Sequence, residues 1–134
     1  MWYTITSESW HPGYRFGKKR PKVGKFDVAL YAQTFPPFWR FPSEESERWK
    51  WLAEAMPPLY ARYLFMRFGI GGKLLDLFAG VGGWGIGFVL SGLCEYIEMV
   101  EVDKRKCRYL ELNFKLLKRE TEAVSYTHLT LPTN

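Results

Sequence analysis

The segment Leu74-Leu75-Asp76-Leu77-Phe78-Ala79-Gly80-Val81-Gly82-Gly83-Trp84-Gly85-Ile86-Gly87-Phe88 constrains the fold more than any other part of this chain. A short apolar strand ends in an acid, an aromatic residue and a glycine-rich turn, and a helical pattern follows. Glycine lets the backbone turn sharply and approach a neighbour where a Cβ would clash. The helix start behind such a turn offers free N–H groups and the positive end of a dipole. An acid at the strand end accepts hydrogen bonds from a hydroxyl or an ammonium group. Two readings follow: a nucleotide-type cofactor loop, or glycine used only to pack a strand against a helix. The spacing is not the dinucleotide GxGxxG fingerprint. No Gly-Lys-Ser/Thr follows, which argues against a phosphate-cradling P-loop.

The flanking segments set this unit in an α/β order. Residues 1–25 are polar, basic and rich in Gly and Pro, and read as loop with a short strand at Trp2–Thr6. Phe26–Ala32 fits a short helix or a strand. Thr34–Pro42 is an aromatic–proline stretch and reads as an ordered loop. Ser43 is placed as an N-cap, with Glu44 and Glu45 in the first turn of a helix running to about Ala55. Pro57 and Pro58 end that helix and open a second one, which stops at Gly69. The strand Lys73–Leu77, a helix from Gly83 to Ser91, a strand Tyr96–Val102 and an amphipathic helix Lys104–Lys118 complete the order. Cys107, Leu110, Phe114 and Leu117 recur at helical spacing on the last. Helix–strand–helix–strand–helix predicts parallel strands joined by right-handed crossovers. A ligand then belongs at the carboxyl ends of the strands, beyond Asp76 and Glu101.

Composition narrows the classes. The 134 residues allow one small domain with a real core, and 47% hydrophobic and 18% aromatic content argue against disorder. No run is apolar and long enough to span a membrane, and no signal peptide is visible, so a cytoplasmic protein is expected. Cys94, Cys107, His11 and His128 make neither a disulfide framework nor a zinc site, and two reduced, partly buried thiols are expected. The net charge of +5 comes from two clusters. One runs from Arg15 to Lys25; the other, Lys104 to Arg119, lies on the last helix. Such clusters suit a polyanion, and equally an ordinary solvated face.

Glu101 lies 25 positions after Asp76. An acid there is placed to bind two ribose hydroxyls of a nucleoside cofactor, or to cap the following helix, a role open also to Asp103.

Four segments together resemble the DNA cytosine-5 methyltransferases. Asp76-Leu77-Phe78-Ala79-Gly80-Val81-Gly82-Gly83 is similar to motif I, which holds S-adenosyl-L-methionine in that family. Glu101-Val102-Asp103-Lys104, eight intervening residues, then Asn113-Phe114 is similar to motif II. There the glutamate binds the ribose and the next residue packs on the adenine. That residue is often tryptophan; here it is Val102. Gln33-Thr34-Phe35-Pro36 looks like the end of motif IX, and Ala55-Met56-Pro57-Pro58-Leu59-Tyr60-Ala61 looks like motif X. The family's Gly-Asn pair before motif X is Ala53-Glu54 here, and the asparagine helps hold the methionine end of the cofactor. Motifs IX and X usually close the chain; here they precede motifs I and II, as in a circularly permuted member, which termini that lie close together tolerate.

The resemblance implies an α/β, Rossmann-like S-adenosylmethionine-dependent methyltransferase fold, with a partial parallel sheet flanked by helices. Residues 1–42 form a basic, aromatic segment resembling motif IX, and residues 43–122 a partial cofactor-binding domain. It implies a cofactor site at Asp76, Phe78, Ala79, Gly80, Gly82, Gly83, Trp84, Glu101, Val102, Ala55 and Met56. DNA is the implied partner, with a restriction endonuclease in the same system.

In that family a cysteine in a Pro-Cys segment, on a loop after the fourth strand, attacks C6 of a flipped-out cytosine. Neither Cys94 nor Cys107 follows a proline, so no catalytic residue is assigned and the chain is expected to be inactive alone. Residues 123–134 resemble translated sequencing-adapter read-through, a non-native tail; the alternative is a third strand at Thr127–Leu131. Two other functions fit the same residues. One is methyl transfer to an exocyclic amine of DNA or to an RNA base. The other is a non-catalytic nucleic-acid-binding module that uses the fold as scaffold.

Overall fold

A computed structural model of the chain describes residues 26–121 together with His128 and Leu129. The expected strand at Trp2–Thr6 and the basic cluster from Arg15 to Lys25 lie outside the described residues. The elements are α1 (Phe26–Ala32), α2 (Glu45–Ala53), α3 (Pro58–Phe68), β1 (Gly72–Asp76), α4 (Gly83–Leu90), β2 (Cys94–Met99), α5 (Lys104–Thr121) and β3 (His128–Leu129). The fold is mixed α/β, with a small parallel sheet flanked by helices.

Strands β1 and β2 pair in parallel, with Leu74 opposite Ile97 and Asp76 opposite Met99. Of the tail, β3 pairs in parallel with β2 through Glu98–His128 and Met99–Leu129, so the third-strand alternative has backbone support at these two residues. One sheet face carries Ile97 and Met99 into the core. On the other face, Leu75 is exposed among the described residues, and Leu77 beyond the end of β1 is exposed too.

Helix α4 is apolar on all sides and is buried, as such a helix must be. Ile86 and Phe88 are wholly inaccessible, and burying a side chain of this size contributes about 1.5–3 kcal/mol. Its glycines are packing devices. A Cβ at Gly87 would stand 2.6 Å from both the Ala61 Cβ and the Pro58 carbonyl oxygen, so α3 lies against bare backbone. The apolar stripe of α5 is buried as its periodicity predicts: Cys107, Leu110, Phe114 and Leu117, with Asn113 among them.

The aromatic–proline stretch is an ordered loop, as expected. The Trp39 indole N–H donates to the Val81 carbonyl at 2.8 Å, and its ring meets Phe114 edge-on at 5.2 Å. Asn113, 1% exposed, clamps the same loop to α5. Its Oδ1 accepts from Arg40 N–H at 2.8 Å, and its Nδ2 donates to the Arg40 carbonyl at 2.9 Å.

Several boundaries differ from the sequence expectation. Phe26–Ala32 is a helix. The N-cap of α2 is Glu44, not Ser43; its carboxylate caps nothing, because Arg105 holds it at 2.6 Å. That contact keeps the Glu44 carboxyl below its ordinary pKa. Strand β2 ends at Met99, opposite Asp76 at the end of β1, so Glu101 sits two residues past the strand rather than on it.

Candidate functional site

Two backbone bonds continue the β1–β2 ladder past the strand ends. Val100 N–H donates to the Asp76 carbonyl at 2.8 Å, and Ala79 N–H donates to the Val100 carbonyl at 3.0 Å. They bring the glycine-rich turn beside residue 101. The Glu101 carboxylate then accepts Gly80 N–H at 2.7 Å on Oε2 and Asp103 N–H at 2.9 Å on Oε1. A carboxylate has about four lone-pair sites, so Glu101 keeps acceptor capacity for two hydroxyls.

A cavity of about 590 Å3 opens at this point, within the roughly 300–1,000 Å3 typical of small-molecule sites. The glycine-rich turn contributes Phe78, Ala79 and Gly80 to its wall, and the start of α4 contributes Gly83 and Trp84. Glu101 faces it from the β2 side, and Ala55 and Met56 from the α2–α3 connection. Eight of the eleven sequence-derived site residues are thus brought together around one space.

The other three lie elsewhere. Gly82, at φ 97°, is turned to the core: a Cβ there would meet the Phe114 ring at 2.8 Å. That backbone angle and that contact together require glycine. Val102 is exposed and does not line the cavity. Asp76 sits behind the turn, where its Oδ1 accepts Phe78 N–H at 3.2 Å. Its Oδ2 is buried with no hydrogen-bond partner among the described residues. Burial pushes the Asp76 carboxyl above its ordinary pKa, and the negative charge of Glu101 pushes the same way.

Residues outside the eleven sequence-derived site residues complete the wall and hold it. Trp51, Pro57, Val81 and Lys106 line the cavity, as does Glu54, noted before only as a departure from the motif. Gln33 Nε2 donates to the Ala55 carbonyl at 2.9 Å, and Thr34 Oγ1 accepts Leu59 N–H at 3.1 Å. The two polar residues of Gln-Thr-Phe-Pro therefore fix both ends of the connection that forms one wall. Thr34 adopts φ 66°, a left-handed conformation costly for a β-branched residue, while making that contact. No periodicity marks either residue, because each acts through one hydrogen bond across more than twenty positions.

Both cysteine thiols have raised pKa values. Burial pushes Cys94 up to about 11, and burial also raises Cys107, whose S–H donates to the Glu101 carbonyl at 3.1 Å. Among the described residues no cluster of His, Cys, Asp and Glu could hold a metal ion, and no helix is long and apolar enough to cross a membrane. No protein-family model matches the chain, and no curated protein matches it.

Proposed function

We propose that this chain is the cofactor-binding part of an S-adenosylmethionine-dependent DNA cytosine-5 methyltransferase, built on a Rossmann-like fold. One observation carries the reading: three segments that resemble motifs X, I and II, far apart in sequence, wall a single cavity at the carboxyl end of a parallel sheet. The chemistry of the wall suits the cofactor. Glu101, fixed by Gly80 and Asp103, has lone pairs left for ribose hydroxyls. The first N–H groups of α4, whose Gly83 and Trp84 line the cavity, have no intrahelical acceptor. Trp51 and Trp84 give the cavity apolar surface. When bound, the cofactor supplies a methyl group activated by its sulfonium. The residues of this chain bind and orient it; neither Cys94 nor Cys107 stands in the Pro-Cys setting of the resembled mechanism.

DNA as partner is supported by α5. Lys104, Arg108, Lys115, Lys118 and Arg119 are exposed along it, while Arg105 and Lys106 are engaged by Glu44 and Glu54. Neutralising phosphates with such a row releases counterions, so binding falls steeply with salt.

The test is calorimetry of the 134-residue chain with S-adenosylmethionine. Weak, saturable binding is expected, with no methyl transfer by the chain alone. Glu101→Gln removes the charge that holds two backbone N–H groups and the ribose, and weakens binding by about 10- to 100-fold. Absence of binding to the wild-type chain, or full affinity in Glu101→Gln, overturns the reading.

A further inference from the structure

We infer that the outward face of α3 is a docking site for an acidic amphipathic helix of another polypeptide. This face shares no residue with the cavity described above, and the inference does not depend on the cofactor reading.

Apart from Arg62 and Arg67, every side chain of α3 is apolar or aromatic. Pro58, Ala61 and Phe65 are buried, and α3 packs on that side against the bare backbone at Gly87 of α4. A helix apolar on every side is ordinarily buried on every side. Here Leu59, Tyr60, Tyr63, Met66 and Phe68 stay exposed, Tyr63 at 57% and Met66 at 51%. Tyr60 and Tyr63 stack, with ring centres 6.5 Å apart and 18° between their planes, so the two rings already share one orientation.

The exposed face is shaped for a helix. A groove of about 390 Å3 is lined by Leu59, Arg62, Tyr63, Met66 and Arg67. Leu59, Tyr63 and Met66 stand at i, i+4 and i+7, so they follow one face for about 10 Å. An incoming amphipathic helix presents its own apolar residues at the same interval, and its ridge fits a groove of that length.

Charge selects the occupant. Helix α3 has no Asp or Glu, and two guanidinium groups line its groove. Arg62 Nε donates to the Leu90 carbonyl at 3.2 Å, and the Arg67 guanidinium lies 5.7 Å from the centre of the Phe68 ring. Neither has a carboxylate partner among the described residues. A guanidinium has five N–H donors, so each keeps donors for a carboxylate of the partner. A second copy docked by the same face brings cations against cations. A nucleic acid answers the arginines but not Leu59 and Met66, which line the same groove. Carboxylates beside an apolar ridge answer both.

The test titrates the full chain into three labelled synthetic helical peptides and reads fluorescence anisotropy. The first has Leu at i, i+3, i+4 and i+7 with Glu elsewhere. The second has Lys for every Glu, and the third has Ala for every Leu. The first is expected to bind about tenfold or more tightly than either of the others, the worth of two rim ion pairs or of part of an apolar ridge. Its affinity should fall as salt is raised. Met66→Glu, and Arg62→Ala combined with Arg67→Ala, should each weaken it about tenfold. These side chains are exposed, so circular dichroism and Tm should match wild type, which shows that the variants fold. Equal binding of the acidic and basic peptides, or unchanged binding in the folded variants, overturns the inference. A chain that sediments alone as a dimer and becomes monomeric in Met66→Glu overturns it in favour of a second copy. A single-stranded oligonucleotide that binds more tightly than the acidic peptide, and is lost in the same variants, overturns it in favour of nucleic acid. None of these outcomes bears on the calorimetry that tests the cofactor reading.

Discussion

Gly83→Ala tests whether the α2–α3 connection and the start of α4 are pressed together as tightly as the structure shows. A Cβ at residue 83 would lie 1.9 Å from the Met56 carbonyl oxygen, 2.9 Å from its carbonyl carbon and 3.3 Å from its Cα. All three atoms are backbone, so no side-chain rotation relieves the overlap. Met56 must retreat by about 1.5 Å to reach an ordinary 3.4 Å contact. That movement pulls on the hydrogen bonds that Gln33 and Thr34 make at either end of the connection. Overpacking of this kind costs about 1–3 kcal/mol, and replacing a helical glycine by alanine returns about 0.5–1 kcal/mol. The net loss is about 0.5–2 kcal/mol, which lowers Tm by roughly 2–16 °C in a domain of this size. Thermal unfolding by circular dichroism measures it. Because Met56 walls the cavity, cofactor binding should weaken in the same variant. A Tm equal to or above that of wild type would refute the close approach and, with it, the placement of this wall.

Three further outcomes follow from individual residues. Asn113→Ala leaves the Arg40 N–H and carbonyl without partners and should cost about 2–4 kcal/mol in urea unfolding followed by tryptophan fluorescence; a loss below about 1 kcal/mol contradicts the clamp. The Cys94 thiol, at about 11 against an ordinary 9.0, should carry about a hundredfold less thiolate below pH 9 than a free cysteine. It should react correspondingly slowly with a disulfide reagent, and labelling at the free-cysteine rate argues against its burial. Asp76 has a raised pKa in the folded state, so the folded protein holds this proton more tightly than the unfolded chain. Stability from this group is present at low pH and is lost as pH rises from about 4 through the raised value. Asp76→Asn should remove that decline, and a wild-type-to-variant difference in urea midpoint that stays constant across this range rejects the assignment.

Element types were legible wherever one local signal dominated. The spacing of Cys107, Leu110, Phe114 and Leu117 placed the buried stripe of α5, and Pro57-Pro58 and Gly69 marked the ends of α3. Strand limits were less legible because pairing decides them: β2 stops at Met99, where β1 has no more residues to offer. Ser43 was expected as a cap, but Glu44 occupies that position and is drawn to Arg105, sixty-one residues away.

The candidate site divides in the same way. A turn rich in glycine and an acid after the second strand can be read from the chain, since both are local requirements of backbone geometry and charge. Which glycine serves the cavity and which the core could not be read. Gly82 faces Phe114, Leu110 and Trp39, while Gly83 meets the Met56 backbone at the cavity wall, and the distinction exists only once α5 and the α2–α3 connection have packed on either side of α4. Lys106 and Glu54 are likewise two ordinary charges in sequence. Local composition determined that this chain forms a strand, a tight turn and a buried helix with two acids nearby. Only tertiary packing, which brings residues more than fifty positions apart within hydrogen-bonding reach, decided what surrounds the turn.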